Sequence, residues 1–206
     1  MCNYYKNDIR KAGRERDYYG FDEFSEAPAD IYPDVLAPVI RKREDGAPEW
    51  KAMRWGFPPP PTLGNRPVTN VRNLESAYWR GWLEPEFRCL VPFTRFAEYD
   101  DASPKGKKQI CWFALPGEPL AMFAGIWRPW TGACGTKVNP IEGEHLLYAF
   151  LTCAPNAVVA PVHAKAMPVI LATPEEQAAW LHAPADVAKK TARPLPDERL
   201  LLLNSP

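Results

Sequence analysis

The stretch RCLVPFTRFAEYD (residues 88–100) decides the fold of this chain. Apolar and β-prone side chains lie on both sides of Pro92, and proline interrupts the hydrogen-bonded ladder of a continuous strand. The stretch therefore predicts a strand, a kink at Pro92 and a second strand. It also places one carboxylate, Glu98, among aromatic side chains.

Strand patterns continue on both sides of this stretch, and helix patterns are few. We predict strands at 35–42, 49–57, 145–155 and 166–173, a hairpin at 107–130 around the turn PGEP (116–119), a final strand in RLLLLNSP, and short helices at 3–19 and 173–182. The last helix has a capping box, with Thr173 as N-cap and Glu176 at N3. Together these elements predict an α+β but mainly β fold: one domain over residues 1–206, with a curled, barrel-like, mostly antiparallel sheet.

Composition limits the possible partners and the compartment. The 206 residues carry 25 Lys and Arg against 25 Asp and Glu, so any nucleic-acid site must be a local patch. The five cysteines form no CxxC pair and have no zinc spacing, so we expect no metal and no cofactor. Cys89, Cys111 and Cys153 lie in apolar runs typical of buried, reduced thiols. With no signal peptide and no membrane-length apolar run, we expect a soluble, cytoplasmic protein without membrane contact.

The chain begins MCNYYKND, which places a cysteine at position two. Removal of Met1 would give Cys2 two reactive groups on adjacent carbons, a thiol and an α-amine. An α-amine has a pKa near 7.7–8.0, so part of it is a neutral nucleophile at physiological pH. The amine can form a Schiff base with an aldehyde, and the thiol can then close a five-membered thiazolidine ring. This chemistry predicts an aldehyde substrate, although Cys2 has an ordinary structural interpretation as well.

Four further polar residues have unusual sequence surroundings: Asn70, Arg72, Glu98 and His163. Each also has a structural interpretation: Asn70 as a turn former, Arg72 as a surface charge, Glu98 as an ion-pair partner of an arginine such as Arg95, and His163 as a core histidine. A two-atom nucleophile, a carboxylic acid, a histidine and an orienting amide together make a working active site.

Five segments of the chain together resemble the SOS-response-associated peptidase family, whose members sense abasic sites in single-stranded DNA. They follow one another in the family's order and spacing across nearly the whole chain. The segments are MC at the start, TNVR (69–72), RCLVPFTRFAEY (88–99), FAGIW (123–127) and LTCAPNAVVAPVHAKAMPVIL (151–171).

The resemblance implies a reaction and a role for each residue. Family members remove Met1 by self-cleavage, and the exposed Cys2 traps the ring-opened aldehyde of an abasic site as a thiazolidine crosslink. By this likeness Asn70 orients the N-terminal residue, Glu98 acts as acid and base near the amine and the opening sugar, and His163 assists proton transfer at the deoxyribose oxygen.

The resemblance also implies DNA contacts, and here the chain departs from the family. Arg72 and Arg80 would hold phosphates. The family usually begins MCGR, whereas this chain has Tyr4 in place of the arginine. The segment HAKAMP is one residue longer than the family's form, with Lys165 as the substitute cation. A lysine offers a point charge instead of a planar fork, which makes phosphate geometry looser.

Two other functions remain open from the sequence. One is a peptidase or amidase that cleaves substrates in trans with Cys2, His163 and Asn70 as nucleophile, base and orienter. The other is a module that binds single-stranded nucleic acid without covalent chemistry. For the crosslinking function, the expected partner is single-stranded DNA that contains abasic sites, and the expected state is a monomer.

Overall fold

Two β-sheets enclose one apolar core in the structure, which is a computed structural model. The aromatic pair Phe93 and Phe123 is stacked inside this core, with ring centroids 3.8 Å apart. The structure describes residues 2–24, 26–59, 67–104, 106–135 and 138–203.

Strands dominate the secondary structure, and the helices are short. In the described residues the strands are β1 (Tyr5–Lys6), β2 (Asp30–Ile31), β3 (Leu36–Lys42), β4 (Pro48–Trp55), β5 (Asn70–Val71), β6 (Arg88–Phe93), β7 (Arg95–Tyr99), β8 (Ile110–Ala114), β9 (Ala121–Gly135), β10 (Pro140–Cys153), β11 (Met167–Pro168), β12 (Ile170–Leu171) and β13 (Leu201–Leu203). The α-helices are α1 (Pro174–His182) and α2 (Ala185–Ala188). Single 3-10 turns are Ile9–Lys11, Arg14–Asp17, Phe21–Phe24, Arg80–Leu83, Pro85–Phe87, Lys189–Thr191 and Asp197–Arg199.

The larger sheet closes on itself into a five-stranded barrel. The order β10-β4-β3-β6-β9 is completed by the long antiparallel pairing of β9 with β10. Strand β10 also pairs in parallel with β4 and β5, and the β5 pairing sets Asn70 opposite Phe150. The predicted mainly β, barrel-like fold is confirmed.

The second sheet has the order β13-β8-β7-β1-β2. The stretch 88–100 connects the two sheets, because β6 belongs to the barrel and β7 to the second sheet. The predicted kink at Pro92 is wrong: Pro92 lies inside β6, paired with Met122. Strand β3 pairs with β6 only at Cys89 and Leu90, so the missing N–H of Pro92 costs no hydrogen bond on that side. The chain leaves the barrel at Thr94 instead.

The predicted hairpin at 107–130 is also wrong in its pairing. Strand β8 pairs with β7 and β13, whereas β9 pairs with β6, β10 and β12. The turn at Gly117 therefore links the two sheets and does not close a hairpin. The sequence pattern detects two β-prone runs but does not identify their partners, because each run is apolar enough to fit several neighbours.

The predicted helix at 3–19 is replaced by β1 and two 3-10 turns. Strand β1 adds to the edge of β7, and Tyr5 is fully buried in the core. The helix prediction rests on the three- and four-residue spacing of Arg10, Lys11 and Arg14. Burial of the Tyr5 side chain in an extended segment outweighs this weak signal.

Helix α1 has the predicted start. The Thr173 hydroxyl accepts from the Glu176 backbone N–H, and the Glu176 side chain returns to the Thr173 backbone, so the capping box is confirmed. At the other end, the fully buried Arg88 donates to the carbonyl oxygens of Trp180 and Ala183, at 2.7 Å each. These carbonyls carry the partial negative charge of the helix C-terminus, which stabilises a buried cation.

Some predictions concern segments with no structural description. The segment FPPPPTLGNRP (57–67) has the composition of a rigid loop, and most of it lies outside the described residues, as does Met1. Among the helices that are described, none has the length and apolar character needed to cross a membrane.

Replacement of Gly125 by alanine should destabilise the barrel by about 1–3 kcal/mol, the usual range for an added methyl group in a packed core. A Cβ atom at this position would lie 2.7 Å from both Cys89 Sγ and Val91 Cγ2, so β6 and β9 would have to move apart. The free energy of unfolding in denaturant measures the loss. Gly81→Ala is the matched control, since its Cβ would meet nothing within 4 Å. Equal stability of the two variants would contradict the packing at Gly125.

Candidate active site at the N-terminus

The first residues of the chain are held in place by β1. The N–H of Ala97 donates to the Tyr4 carbonyl at 2.9 Å, and the N–H of Thr94 donates to the Lys6 carbonyl at 2.8 Å. Between them, the hydroxyl of Tyr5 forms a 2.7 Å hydrogen bond with the hydroxyl of Tyr148 on β10. The N-terminal segment is thus fixed against both sheets, and Cys2 is fully buried.

Asn70 holds the backbone of Cys2. Its Nδ2 donates to the Cys2 carbonyl at 2.9 Å and to the Thr69 hydroxyl at 2.8 Å. That hydroxyl donates in turn to Asn3 Oδ1 at 3.0 Å. Asn70 lies in β5 beside β10, so it is not the turn former that the sequence left open. The orienting role expected for Asn70 stays a prediction, and this contact with the Cys2 carbonyl supports it.

Glu98 lies on β7 and is 2% exposed. Burial raises the pKa of its carboxyl group to about 7. Burial also raises the pKa of the Cys2 thiol, and the Glu98 charge is the second cause. The two groups are therefore electrostatic neighbours. Arg95, the partner considered from the sequence, binds Glu118 instead, with Nη2 2.6 Å from Oε2.

His163 is buried and paired with a carboxylate. Its Nδ1 lies 3.0 Å from Asp101 Oδ2, and the Asp101 N–H donates to the Val162 carbonyl at 2.9 Å. Burial is the main cause that lowers the pKa of the His163 imidazole, and Asp101 opposes it. The carboxylate holds the ring proton on Nδ1, which makes Nε2 the basic nitrogen. His163 is thus an oriented and mostly neutral imidazole at neutral pH.

Arg72 and Lys165 lie close to this histidine. Arg72 follows β5, and its Nη1 donates to the Cys153 carbonyl and, at 3.1 Å, to the Lys165 carbonyl. The Lys165 charge contributes to the lowered pKa of His163. Arg72 therefore joins the end of β10 to the loop that carries His163. Arg72 and Lys165 are both exposed to solvent.

Arg80 has no described contact with the other predicted site residues. It begins the 3-10 turn Arg80–Leu83 and is exposed. Within the described residues, no hydrogen bond or ion pair joins it to Cys2, Asn70, Glu98 or His163.

The three cysteines predicted to be buried, reduced thiols differ in their burial. Cys89 and Cys153 are buried and Cys111 is half-buried, and each is a free thiol. Among the described residues, no group of three or more His, Cys, Asp or Glu side chains is arranged to hold a metal ion.

Asp101 is the functional candidate that the sequence analysis missed. It lies two residues after β7, and only the fold brings it to His163, 62 positions away. One sequence signal could have identified Asp101: it belongs to an acidic pair, Asp100 and Asp101, directly after the strand that carries Glu98.

Comparison with known proteins adds a family and a fold. A model of the SOS response associated peptidase family matches residues 1–203. No curated protein matches the sequence significantly. Among solved structures, the chain is similar to a Bordetella bronchiseptica protein (TM-score 0.71, 22% identity, 99% of this chain and 100% of that chain covered). It is also similar to a Bacteroides thetaiotaomicron protein (TM-score 0.73, 19% identity, 98% of this chain and 92% of that chain covered). A third similar structure is a phage-related B. bronchiseptica protein (TM-score 0.66, 21% identity, 98% of this chain and 93% of that chain covered). At these identities the structural likeness establishes the fold.

Replacement of Asp101 by asparagine should lower the pKa of the His163 imidazole further, because the carboxylate that stabilises the imidazolium is gone. Titration of the histidine ring protons by NMR measures the shift. His182 is the internal control: burial and Lys42 set its lowered pKa, which should not change. An unchanged His163 pKa would contradict the observed pairing.

Proposed function

Because this chain belongs to the SOS response associated peptidase family, we propose that it binds abasic sites in single-stranded DNA and traps them covalently through Cys2. Family membership associates the chain with the SOS response to DNA damage. The observation that carries the finer proposal is the arrangement of Cys2: Asn70 holds its carbonyl, and the Glu98 carboxyl group is its electrostatic neighbour.

The reaction requires an α-amine at Cys2, and therefore hydrolysis of the bond that follows Met1. We assign this self-cleavage to the same site. The free amine attacks the aldehyde of the ring-opened deoxyribose, and loss of one water gives an imine. The thiol then adds to the imine carbon and its proton passes to the imine nitrogen. The product is a thiazolidine, and the whole reaction releases one water.

Glu98 has the acidity that these steps need. An abasic sugar is mostly a closed hemiacetal, so its opening requires a proton donor and a proton acceptor. A carboxyl group with a pKa of about 7 is partly protonated at neutral pH, so it can both donate and accept a proton. His163, oriented by Asp101, serves as the second proton-transfer group at the sugar oxygen.

The protonation state of the thiol sets the order of bond formation. Burial and the Glu98 charge raise the pKa of the Cys2 thiol, so the thiol does not act as a thiolate nucleophile at the outset. The amine therefore reacts first, and the thiol adds once the imine is present. The same raised pKa disfavours the alternative of a cysteine peptidase that acts in trans, because such enzymes depend on a lowered thiol pKa.

DNA binding in this proposal depends on a few local contacts. Arg72 and Lys165 lie at the His163 loop, where they can meet the phosphates beside the opened sugar, and Arg80 would contact the strand further away. A single strand without a base bends into a concave site and needs no extended basic face, which fits a net charge of zero. The proposed state is a monomer, in the cytoplasm and associated with DNA.

The decisive experiment is incubation with a single-stranded oligonucleotide that carries one abasic site, followed by intact mass measurement. The expected product is the protein without Met1 plus the DNA, less one water. Cys2→Ala can form only a reversible imine, so it should give no adduct that survives denaturation, whereas Cys111→Ala, which removes another free thiol, should form the stable adduct normally. A denaturation-resistant Cys2→Ala adduct would contradict the proposal. Salt-sensitive binding without any adduct in a protein that lacks Met1 would indicate the non-covalent module instead.

The rate of adduct formation should depend on pH in a bell shape. Protonated Glu98 is required, so the rate falls as the pH rises above about 7. A neutral amine is also required, so the rate falls as the pH drops below the amine pKa of about 7.7–8.0. In Glu98→Gln the maximal rate should fall by about 10²–10⁴-fold, and the decrease on the alkaline side should disappear. A decrease that persists in Glu98→Gln would assign it to a different group.

A further inference from the structure

We propose that one face of the second sheet, beside the N-terminus, stacks the bases that flank the abasic site. The surface, which we call the aromatic platform, presents the exposed Tyr32 ring; the half-buried Tyr4 ring lies behind it, and the buried Trp112 ring, 6% exposed, supports Tyr4 from within. The proposal rests on the function proposed above for the identity of the DNA, but it concerns a separate contact that involves no covalent chemistry.

The sheet register brings the platform together. The β1–β2 register, extended by one residue, places Tyr4 opposite Tyr32. On the β7 side of Tyr4, the Ala97 N–H donates to the Tyr4 carbonyl at 2.9 Å. Ala97 is itself paired with Trp112 on β8. Directly opposed residues in antiparallel strands share a face, so these four residues form one row across the sheet. The small side chain of Ala97 lets the Tyr4 and Trp112 rings meet edge to face, 4.6 Å apart.

The platform is rigid on its inner side and open on its outer side. The Tyr4 and Tyr32 rings are stacked at 4.2 Å with an interplanar angle of 18°. The Tyr4 hydroxyl donates to Asp30, whose carboxylate also binds Lys6 at 3.2 Å, so this inner ring is held in place. Tyr32 is 45% exposed. A large, pre-oriented aromatic ring is therefore presented to solvent at little cost in side-chain entropy.

The platform is continuous with the candidate active site. The Cys2 thiol donates to the carbonyl oxygen of Tyr4 at 3.4 Å, so the first platform residue contacts the proposed nucleophile directly. This contact is with the backbone of Tyr4, two residues along the chain, so a strand whose sugar is bonded to Cys2 has its neighbouring nucleotides within reach of the platform. Lys6, 5.5 Å from the centre of the Trp112 ring, adds a cation at the edge of the same surface.

Stacking suits such a ligand for a chemical reason. Every nucleobase has a π face, so an aromatic platform holds a single strand whatever its sequence. A damaged site occurs in any sequence, and the missing base leaves nothing to recognise at the site itself. A protein with zero net charge also gains affinity here that does not depend on phosphate contacts.

The test measures non-covalent binding to oligonucleotides with a central tetrahydrofuran residue, an abasic analogue that has no aldehyde. One probe has ordinary bases on both sides, and the second has tetrahydrofuran residues there as well. Tyr32→Ala should weaken binding of the first probe by roughly 5- to 100-fold, the range for loss of one base–aromatic stack, and should leave binding of the second almost unchanged. Fluorescence anisotropy gives both dissociation constants.

The controls separate stacking from structural effects. Tyr32→Phe keeps the aromatic face and should bind both probes like the unaltered protein. Tyr19→Ala removes another exposed tyrosine, 65% exposed and packed against Arg43, and should change neither value. Equal weakening of both probes in Tyr32→Ala, or no weakening at all, would overturn the platform.

A separate measurement keeps this inference distinct from the proposed function. Adduct formation by the unaltered protein with a natural abasic site decides the function. The tetrahydrofuran probes decide the platform, because they cannot form an adduct. The crosslinking function and the aromatic platform can therefore be contradicted independently of each other.

Discussion

The pairing of β1 with β7 is the interaction on which the candidate site depends. Two residues of β1 fix the N-terminal segment, and the fully buried Tyr5 anchors it between the sheets through its hydroxyl contact with Tyr148. Without this anchor the first residues would fray, as chain termini usually do. The hydrogen bond from Asn70 and the electrostatic effect of Glu98 both require that Cys2 stays in this position.

Burial is the second determinant of the chemistry. The same low-polarity surroundings raise the pKa of Glu98 into the neutral range and keep the Cys2 thiol protonated. His163 responds in the opposite direction, since burial disfavours its charged form. The site thus holds a protonated thiol, a mostly neutral imidazole and a partly protonated carboxyl group, a combination that suits the proton transfers of the proposed reaction.

The sequence predicted strand positions well and strand partners poorly. The capping box at Thr173 is a local signal, with all its parts within four residues, and the prediction was confirmed. The hairpin at 107–130 required knowledge of which strand meets which, and its two strands belong to different sheets. For the site, motif resemblance selected Cys2, Asn70, Glu98 and His163, which the fold gathers at the N-terminus. Asp101 was missed because its partner lies 62 positions away and only the folded chain shows the pairing.

The short spacing between Cys2 and Tyr5 fixes how far the start of the chain can extend. Tyr5 is fixed in the core by ring contacts and by its hydroxyl group, so two intervening residues determine how far Cys2 reaches. One residue inserted between Cys2 and Tyr5 would turn the Cys2 side chain to the other side of the strand, and one deleted residue would pull Cys2 out of range of Asn70. If the proposed reaction takes place at Cys2, an affinity tag that stays ahead of Cys2 leaves a peptide bond in place of the required amine. A tag for purification therefore belongs at the other end of the chain.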